Sequence, residues 1–264
     1  MAETPDAAGH GVDATPVLIL AGGRAERLGD VADVPKPLLD VGGRPFIGYL
    51  LEALWRHGLR RICCLTGHRA EAFPNRLRSA AAARQMPFLS ELHLDFQAET
   101  APLGTGGALG AARHRVDERA LVLNGDSYCE VDYQDVLRTH PAGAGISLTA
   151  VHLPEAGDCG ALQIDERDRL RGFREKGASG AGWVNAGVYC VHRRFLDAIP
   201  PGKVSLEREV LPAWLAREEI RVLRTRGFFR DIGTPDRLAR ARAEFPDVVR
   251  AGRDDACGDA PGRS

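Results

Sequence analysis

The chain has 264 residues, of which 44% are hydrophobic and 27% charged, and its formal net charge is −1. These values exclude a wholly disordered chain and a strongly basic nucleic-acid binder, and the length predicts one α/β-sized domain. No apolar run approaches the ~20 residues of a membrane-spanning helix, and the residues before Arg24 lack the basic start and apolar core of a signal peptide. We therefore expect a cytoplasmic protein with no nucleic-acid or membrane partner.

Short apolar runs alternate with helical patterns through the first half of the chain. The pattern predicts strands at Val17–Ala21, Arg61–Thr66, Leu92–Gln97 and Ala120–Asn124, and helices at Phe46–His57, Glu71–Ala83 and Gly106–Arg113. Such alternation is typical of a parallel sheet covered by helices on both faces. We therefore predict an α/β fold with a Rossmann-like, mostly parallel central sheet.

From Ile146 onward, strand-like segments follow one another, and helices are predicted only at Arg193–Ala198, at Leu206–Arg217 and from Pro235. This half is therefore expected to be mixed and partly antiparallel. The ends, residues 1–15 and 247–264, lack periodicity and are predicted to be disordered tails. Between them, residues 16–246 are expected to form a single domain.

The cysteines and lysines carry different information. The six cysteines form no C-x-x-C pair and no Cys/His ligand spacing, so we predict reduced core residues. Of the 35 Lys and Arg residues, only Lys36, Lys176 and Lys203 are lysine. A composition this skewed toward arginine suggests that a lysine remains where a compact ammonium is needed.

The first predicted strand runs into A-G-G-R-A-E-R-L, and V-P-K-P-L follows shortly after it. Gly22 and Gly23 would let the backbone approach a nucleotide, and successive N–H groups at such a position can cradle phosphate oxygens. Arg27 and Lys36 add two cations that can converge on a polyphosphate. The segment matches neither the Walker P-loop nor the dinucleotide glycine pattern.

Two aspartates follow strand-like runs. Asp126, in N-G-D-S, comes just after the strand that ends at Asn124, where open α/β sheets place their ligands. Its alternative role is that of a turn residue that caps the next element. Asp231, in F-F-R-D-I-G-T-P-D, precedes a helix that Thr234 and Pro235 can begin without it. Both carboxylates therefore suit a Mg²⁺ site.

In this order, the motifs L-A-G-G-x-x-x-R-L, P-K-P, G-D, E-K, N-A-G-V-Y and D-I-G-T-P resemble the sugar-phosphate nucleotidyltransferases over about residues 16–245. The resemblance implies transfer of a nucleoside monophosphate from a nucleoside triphosphate to a sugar 1-phosphate. It further implies that Arg27 and Lys36 hold the triphosphate, that Asp126 and Asp231 hold Mg²⁺, and that Lys176 holds the sugar phosphate. The nucleotide residues that it implies are Leu20, Ala21, Gly22, Gly23, Gly104, Thr105 and Gly106, and the remaining sugar residues are Gly160, Glu175 and Asn185.

The longer strings around Pro102–Leu109, Leu123–Cys129 and Phe173–Tyr189 most resemble the D-glycero-α-D-manno-heptose 1-phosphate guanylyltransferases. This resemblance implies GTP as the nucleotide and a glycine-rich base pocket near Thr105. Thr105 could equally be the residue that caps the following helix. A uridylyl- or cytidylyltransferase acting on another sugar 1-phosphate stays open, as does a non-catalytic subunit that senses nucleotide sugars. A homo-oligomer is also possible.

Overall fold

The computed structural model describes residues 14–23, 34–156, 161–173 and 180–255, the last ten of these by backbone alone. Its strands are β1 (Val17–Ala21), β2 (Asp40–Val41), β3 (Arg44–Pro45), β4 (Arg61–Thr66), β5 (His93–Ala98), β6 (Arg119–Asn124), β7 (Ser127–Cys129), β8 (Ile146–Leu153), β9 (Leu162–Ile164), β10 (Leu170–Phe173), β11 (Gly182–His192), β12 (Arg221–Thr225) and β13 (Phe229–Asp231). Its α-helices are α1 (Ile47–Arg56), α2 (Ala72–Ala82), α3 (Gly104–Ala111), α4 (Tyr133–Arg138), α5 (Arg193–Asp197), α6 (Leu211–Leu215) and α7 (Pro235–Asp255).

Seven strands form the central sheet, in the order β12-β8-β11-β6-β1-β4-β5. All neighbouring pairs are parallel except the two that β11 makes, with β6 and with β8. Only β11 therefore runs against the other strands. The predicted α/β class, with a mostly parallel sheet and a mixed second half, is confirmed.

Helices cover both faces of this sheet. One apolar layer joins the sheet to α1, α2, α4 and α7, and the other joins it to α3, α5 and α6. The central strand β1 shows why: Val17, Leu18 and Ile19 are all fully buried, because successive side chains point into opposite layers. Among the described residues, no helix combines the length and apolarity needed to cross a membrane.

The structure corrects three predicted boundaries. Helix α7 continues to Asp255, so the boundary at residue 246 falls inside a helix. Thr15, placed in the amino-terminal tail, is buried. The single helix predicted at Leu206–Arg217 is a π-helical turn, Leu206–Val210, followed by α6. Composition could not show these features, because they depend on what the segments pack against.

Four cysteines in the described part of the chain are free and buried: Cys63, Cys64, Cys129 and Cys190. Burial raises the pKa of the Cys129 and Cys190 thiols to about 12, so both stay protonated at neutral pH. These four are reduced core residues, as predicted. Cys159 and Cys257 lie outside the described residues.

Gly107, in α3, tests how tightly the layer of α3, α5 and α6 is packed. A Cβ on Gly107 would overlap the Gly202 carbonyl, whereas a Cβ on Gly23 would meet nothing within 4 Å. We expect Gly107→Ala to lower the free energy of unfolding by about 1–2 kcal/mol, since overpacking outweighs a helix-propensity gain of at most about 1 kcal/mol. Gly23→Ala should change it by less than about 0.5 kcal/mol. Urea denaturation measures both, and a Gly107→Ala protein as stable as the parent would contradict this packing.

Candidate active site

A cavity of about 710 Å³ opens at the carboxyl ends of β1, β4, β5 and β6. This is the edge of an open α/β sheet where ligands bind. It is large enough for a small-molecule ligand such as a nucleotide. We call it the front cavity; its lining consists of Leu20, Ala21, Gly22, Gly23, Lys36, Pro37, Gly67, His68, Glu99, Thr100, Ala101, Pro102, Gly104, Thr105, Ala108, Asn124, Asp126, Lys203 and Glu207.

Two glycines allow the strand ends to meet. A Cβ on Gly67, after β4, would lie 2.6 Å from the Gly22 carbonyl oxygen. A Cβ on Gly125, after β6, would lie 2.8 Å from the Leu20 carbonyl oxygen, to which the Gly125 N–H already donates at 2.9 Å. Any larger residue at Gly67 or Gly125 would therefore push the strand ends apart and distort the floor of the front cavity.

Lys36 and Asp126 come together on one wall. The Lys36 Nζ lies 3.5 Å from the Asp126 Oδ2, and the lysine side chain is only 15% exposed. Lys36 begins a 3-10 turn, Lys36–Leu38, directly after Pro35. This turn is packed against the G-D segment, since a Cβ on Gly125 would also touch the Pro37 ring at 3.2 Å. The structure thus pairs a rigidly held ammonium with a carboxylate on the cavity surface.

Asp231 is held close by, but it does not line the front cavity. Strand β13 pairs with β7 so that Asp231 lies opposite Ser127, and the Ile232 N–H donates to the Asp126 carbonyl at 3.0 Å. Both Asp231 oxygens accept from Arg237 at 3.0 Å, and the Gly233 N–H donates to Oδ1 at 3.0 Å. The pairing of β13 with β7 therefore brings the two predicted metal ligands, Asp126 and Asp231, near each other. Asp231 already has hydrogen-bond partners.

The glycine-rich start of α3 differs from the predicted base pocket. The N–H groups of Gly106 and Gly107 both donate to the Val204 carbonyl, at 2.9 and 3.2 Å, and Gly106 is buried away from the cavity. Gly104, with φ +69°, and Thr105 do line it. Gly106 therefore packs α3 against the Val204 segment, and its N–H is not available to a base.

Thr105 does not cap α3 either, because it lies within the first turn of that helix. Its hydroxyl donates to the Glu207 Oε2 at 3.0 Å and accepts from the Leu206 N–H at 2.8 Å. Thr105 thus joins α3 to the π-helical turn on the far side of the cavity. The alternative helix-cap role is wrong, because the partners of Thr105 are about 100 residues away in the sequence.

Glu99 is a cavity residue that the sequence reasoning missed. Burial raises the pKa of its carboxyl group, and the Leu103 N–H, which donates to Oε2 at 3.2 Å, partly offsets this effect. In the part of the chain that the structure describes, Glu99 makes no ion pair. A cavity carboxylate without a cation is a candidate acceptor for N–H groups of a ligand. The sequence offered one signal for Glu99: it follows the end of the predicted strand Leu92–Gln97, where ligand-binding residues of open α/β sheets lie.

Lys203 is the second missed residue, and it lines the front cavity from the side opposite the strand ends, beside α3. The scarcity of lysine applied to all three lysines, yet only Lys36 and Lys176 lie in recognisable motifs. Composition alone could therefore have suggested Lys203. Its position follows from the packing of the Gly202–Val204 segment on Gly104 and Gly107, which the sequence does not reveal.

Asn185 lies in β11, outside the lining of the front cavity. Its amide donates to the Tyr189 hydroxyl at 2.7 Å, and its Oδ1 accepts from the Gly187 N–H at 3.0 Å. Gly187 has φ +72°, and a Cβ there would overlap the Asn124 side chain. These contacts explain the N-A-G motif structurally, and the sugar contact of Asn185 stays a prediction.

Four predicted site residues lie outside the described residues: Arg27, Gly160, Glu175 and Lys176. The predicted residues that the structure brings together at the front cavity are Leu20, Ala21, Gly22, Gly23, Lys36, Gly104, Thr105 and Asp126. Asp231, Asn185 and Gly106 are near it without lining it.

The family model described as "Nucleotidyl transferase" matches residues 16–247. The chain belongs to this family. HddC from Yersinia pseudotuberculosis, solved in a complex with GMP-PN, is 31% identical, superposes with a TM-score of 0.76, and is matched over 88% of this chain and 99% of its own. The expectation from the sequence motifs is thereby confirmed at the level of the family.

Two curated relatives differ in length. D-glycero-alpha-D-manno-heptose 1-phosphate guanylyltransferase of Aneurinibacillus thermoaerophilus is 28% identical over 240 residues, which cover 88% of this chain and 99% of that protein. Mannose-1-phosphate guanylyltransferase of Mycobacterium tuberculosis is 31% identical over 243 residues, which cover 89% of this chain and 65% of that protein. The chain thus spans about two thirds of the length of the mannose enzyme.

The environment of Glu99 predicts how stability changes with pH. A carboxyl group whose pKa is raised by burial stabilises the fold only below its ordinary pKa, and that contribution is lost as the pH rises. We therefore expect Glu99→Gln to raise the free energy of unfolding at pH 7, with the gain disappearing below about pH 4. Glu166→Gln, at an exposed carboxylate, is the control. Denaturation at several pH values measures this, and a pH-independent difference for Glu99→Gln would contradict it.

Proposed function

We propose that this protein is a sugar-1-phosphate guanylyltransferase, which transfers GMP from GTP to a sugar 1-phosphate and releases pyrophosphate. The observation that carries this proposal is the front cavity itself, where Lys36, Asp126, Lys203 and Glu99 line one space at the carboxyl ends of the central strands. Its support from relatives is that a 31% identical protein was solved with GMP-PN. The proposed activity of the whole protein is supported by these two observations.

The reaction suits a site built from cations rather than from a general base. The sugar phosphate is already an anionic oxygen nucleophile and pyrophosphate leaves readily, so alignment and charge neutralisation are what remain. Lys36 and Lys203 reach the front cavity from separate elements, and the resemblance adds Arg27 and Lys176. Holding the reactants in line can contribute roughly 7–11 kcal/mol.

The donor set fits Mg²⁺ as a cofactor. The Asp126 side chain is 37% exposed on the cavity, and Asp231, at the end of β13, is oriented by Arg237 in the first turn of α7. The described residues contain no cluster of three or more His, Cys, Asp and Glu side chains around a metal position, so phosphate oxygens and water would complete the coordination. When bound, Mg²⁺ would neutralise phosphate charge. Lys36, which pairs with Asp126, would hold this carboxylate in position to bind the metal.

Guanine selectivity is assigned to Glu99. The Watson–Crick edge of guanine presents the N1–H and N2–H₂ donors side by side, and an ionised carboxylate can accept both. Adenine, uracil and cytosine do not present this adjacent pair of donors. The N–H groups of Gly106 and Gly107, an alternative source of base contacts, are bound to Val204. We therefore propose that the Glu99 side chain, rather than the N–H groups of Gly106 and Gly107, selects guanine.

For the sugar we propose D-glycero-α-D-manno-heptose 1-phosphate. The support is that the relative named for this substrate is matched over 99% of its length, whereas the mannose-1-phosphate relative is matched over 65%. Mannose 1-phosphate is the second candidate, since relatives named for it are slightly more similar in sequence. Cytoplasmic location and a homo-oligomer stay predictions.

The aspartates test the proposed metal site. We expect Asp126→Asn and Asp231→Asn each to lower kcat/KM more than tenfold, a loss above about 1.4 kcal/mol of transition-state stabilisation. The amide keeps the size of the side chain and removes the charge that Mg²⁺ needs. Asp236→Asn, at an exposed position in the first turn of α7, is the control and should retain activity. Pyrophosphate release is the measurement; a folded variant that keeps more than about a tenth of the activity removes that residue from the metal site.

The nucleotide preference tests Glu99. GTP should exceed ATP, UTP and CTP in kcat/KM by at least about tenfold with a manno-configured heptose 1-phosphate. Glu99→Gln should reduce kcat/KM for GTP by at least about tenfold, because an amide offers one acceptor where the carboxylate offers two. Its kcat/KM for ATP should change little. Should UTP or CTP be the best substrate, the guanylyl assignment fails and the nucleotidyltransferase assignment survives.

A further inference from the structure

A second cavity, the rear cavity, has a volume of about 140 Å³ and lies between α1, β3, β7 and the start of α4. Among the described residues, none lines both this cavity and the front cavity. The family motifs do not account for its polar groups. Arg44, Tyr128 and Tyr133 line this cavity. In the sequence, Arg44 follows the P-K-P segment and the two tyrosines follow the G-D motif, yet all three lie at a cavity other than the front cavity.

Arg44 presents one free edge of its guanidinium. The side chain is only 9% exposed; its Nη1 lies 2.6 Å from the Glu52 Oε2, and its Cζ lies 3.7 Å above the Tyr49 ring. The Nε and Nη2 atoms are buried and have no hydrogen-bond partner. These two N–H groups point to the same side of the planar group, which is the edge that binds an oxyanion through two parallel hydrogen bonds.

Tyr133 provides a further buried donor. Its side chain is 1% exposed, and its hydroxyl has no hydrogen-bond partner. Its ring is fixed by an edge-on contact with His57, with 5.1 Å between ring centroids. Burial raises the pKa of Tyr133 well above its ordinary value, so the hydroxyl keeps its proton. Buried polar groups are normally hydrogen-bonded, so these three unpaired atoms call for a ligand or water.

Two arginines and two glutamates of the described residues line the rear cavity, but only one of these glutamates, Glu52, pairs with Arg44. Glu52 binds both Arg44 and Arg56, through separate oxygens at 2.6 and 2.8 Å, so two cations share one carboxylate. Glu130, at the rim, is exposed and uses Oε2 to accept the Phe228 N–H at 3.2 Å. A desolvated guanidinium that is only partly neutralised attracts a second anionic partner.

We propose that the rear cavity is a binding site for a small oxyanion of the phosphate type. Two oxygens accept from the free edge of Arg44, and a third accepts from the Tyr133 hydroxyl. The volume is about ten times the roughly 10–15 Å³ that one water needs, so the space admits such an ion. This site is independent of the proposed function, because none of the described residues that line it also lines the front cavity.

The test is isothermal titration of the full chain with inorganic phosphate, at an ionic strength held constant with chloride. We expect Arg44→Lys, which keeps the charge and removes the planar edge, to weaken one phosphate site at least about tenfold. Tyr133→Phe, which removes only the hydroxyl, should weaken the same site about threefold or more. Lys36→Ala, which alters the front cavity, should leave this site unchanged.

Two results would overturn the proposal. One is phosphate binding that Lys36→Ala abolishes and that Arg44→Lys and Tyr133→Phe leave intact, since all bound phosphate would then lie in the front cavity. The other is no phosphate binding beyond that of chloride, which would mean that the rear cavity holds water alone. If Arg44→Lys does not fold, as judged by circular dichroism, Tyr133→Phe decides the question, because it leaves the Arg44–Glu52 pair in place.

Discussion

The close approach of four parallel strand ends is the constraint on which the rest of this structure depends. β1 lies between β4 and β6, and its last residues touch the backbone that follows both neighbours. Only glycine at Gly67 and Gly125 permits this contact. Because the ends converge, residues far apart in the sequence, Lys36, Glu99 and Asp126, line one cavity. The chemistry of the site thus begins with backbone sterics.

A second consequence concerns the start of α3. The Val204 carbonyl accepts from the N–H groups of Gly106 and Gly107, so these two groups are not available to a ligand. Glycines in α3 instead allow the Gly202–Val204 segment to pack closely, which brings Lys203 to the cavity. If the proposed function is correct, the side chains of Glu99 and Lys203, which line the front cavity, would contact the base and a phosphate.

Charge pairing prepares the carboxylates for anionic ligands. Asp126 is paired with Lys36, and Asp231 with Arg237, so neither carboxylate stands alone where phosphates are expected. Each cation partly screens its carboxylate while leaving lone pairs for further contacts. At the rear cavity, Arg44 and Arg56 both pair with Glu52, and Arg44 keeps one edge of its guanidinium without a hydrogen-bond partner. The carboxylates Asp126 and Asp231 thus each have a cation partner, whereas the Arg44 guanidinium has donors that no carboxylate of the described residues occupies.

The sequence by itself determined the alternation of strands and helices through the first half of the chain, the buried cysteines and the nucleotidyl transferase motifs, because periodicity and short-range turn chemistry are local. It also singled out Asp126, which follows the end of β6, and Lys36, which lies in the P-K-P segment, and both line the front cavity. It could not identify Glu99, or show that Gly106 packs a helix and that α7 reaches Asp255. Those features depend on contacts between residues distant in the chain, as between Gly106 and Val204, and only the tertiary structure decides which groups such contacts occupy or leave free.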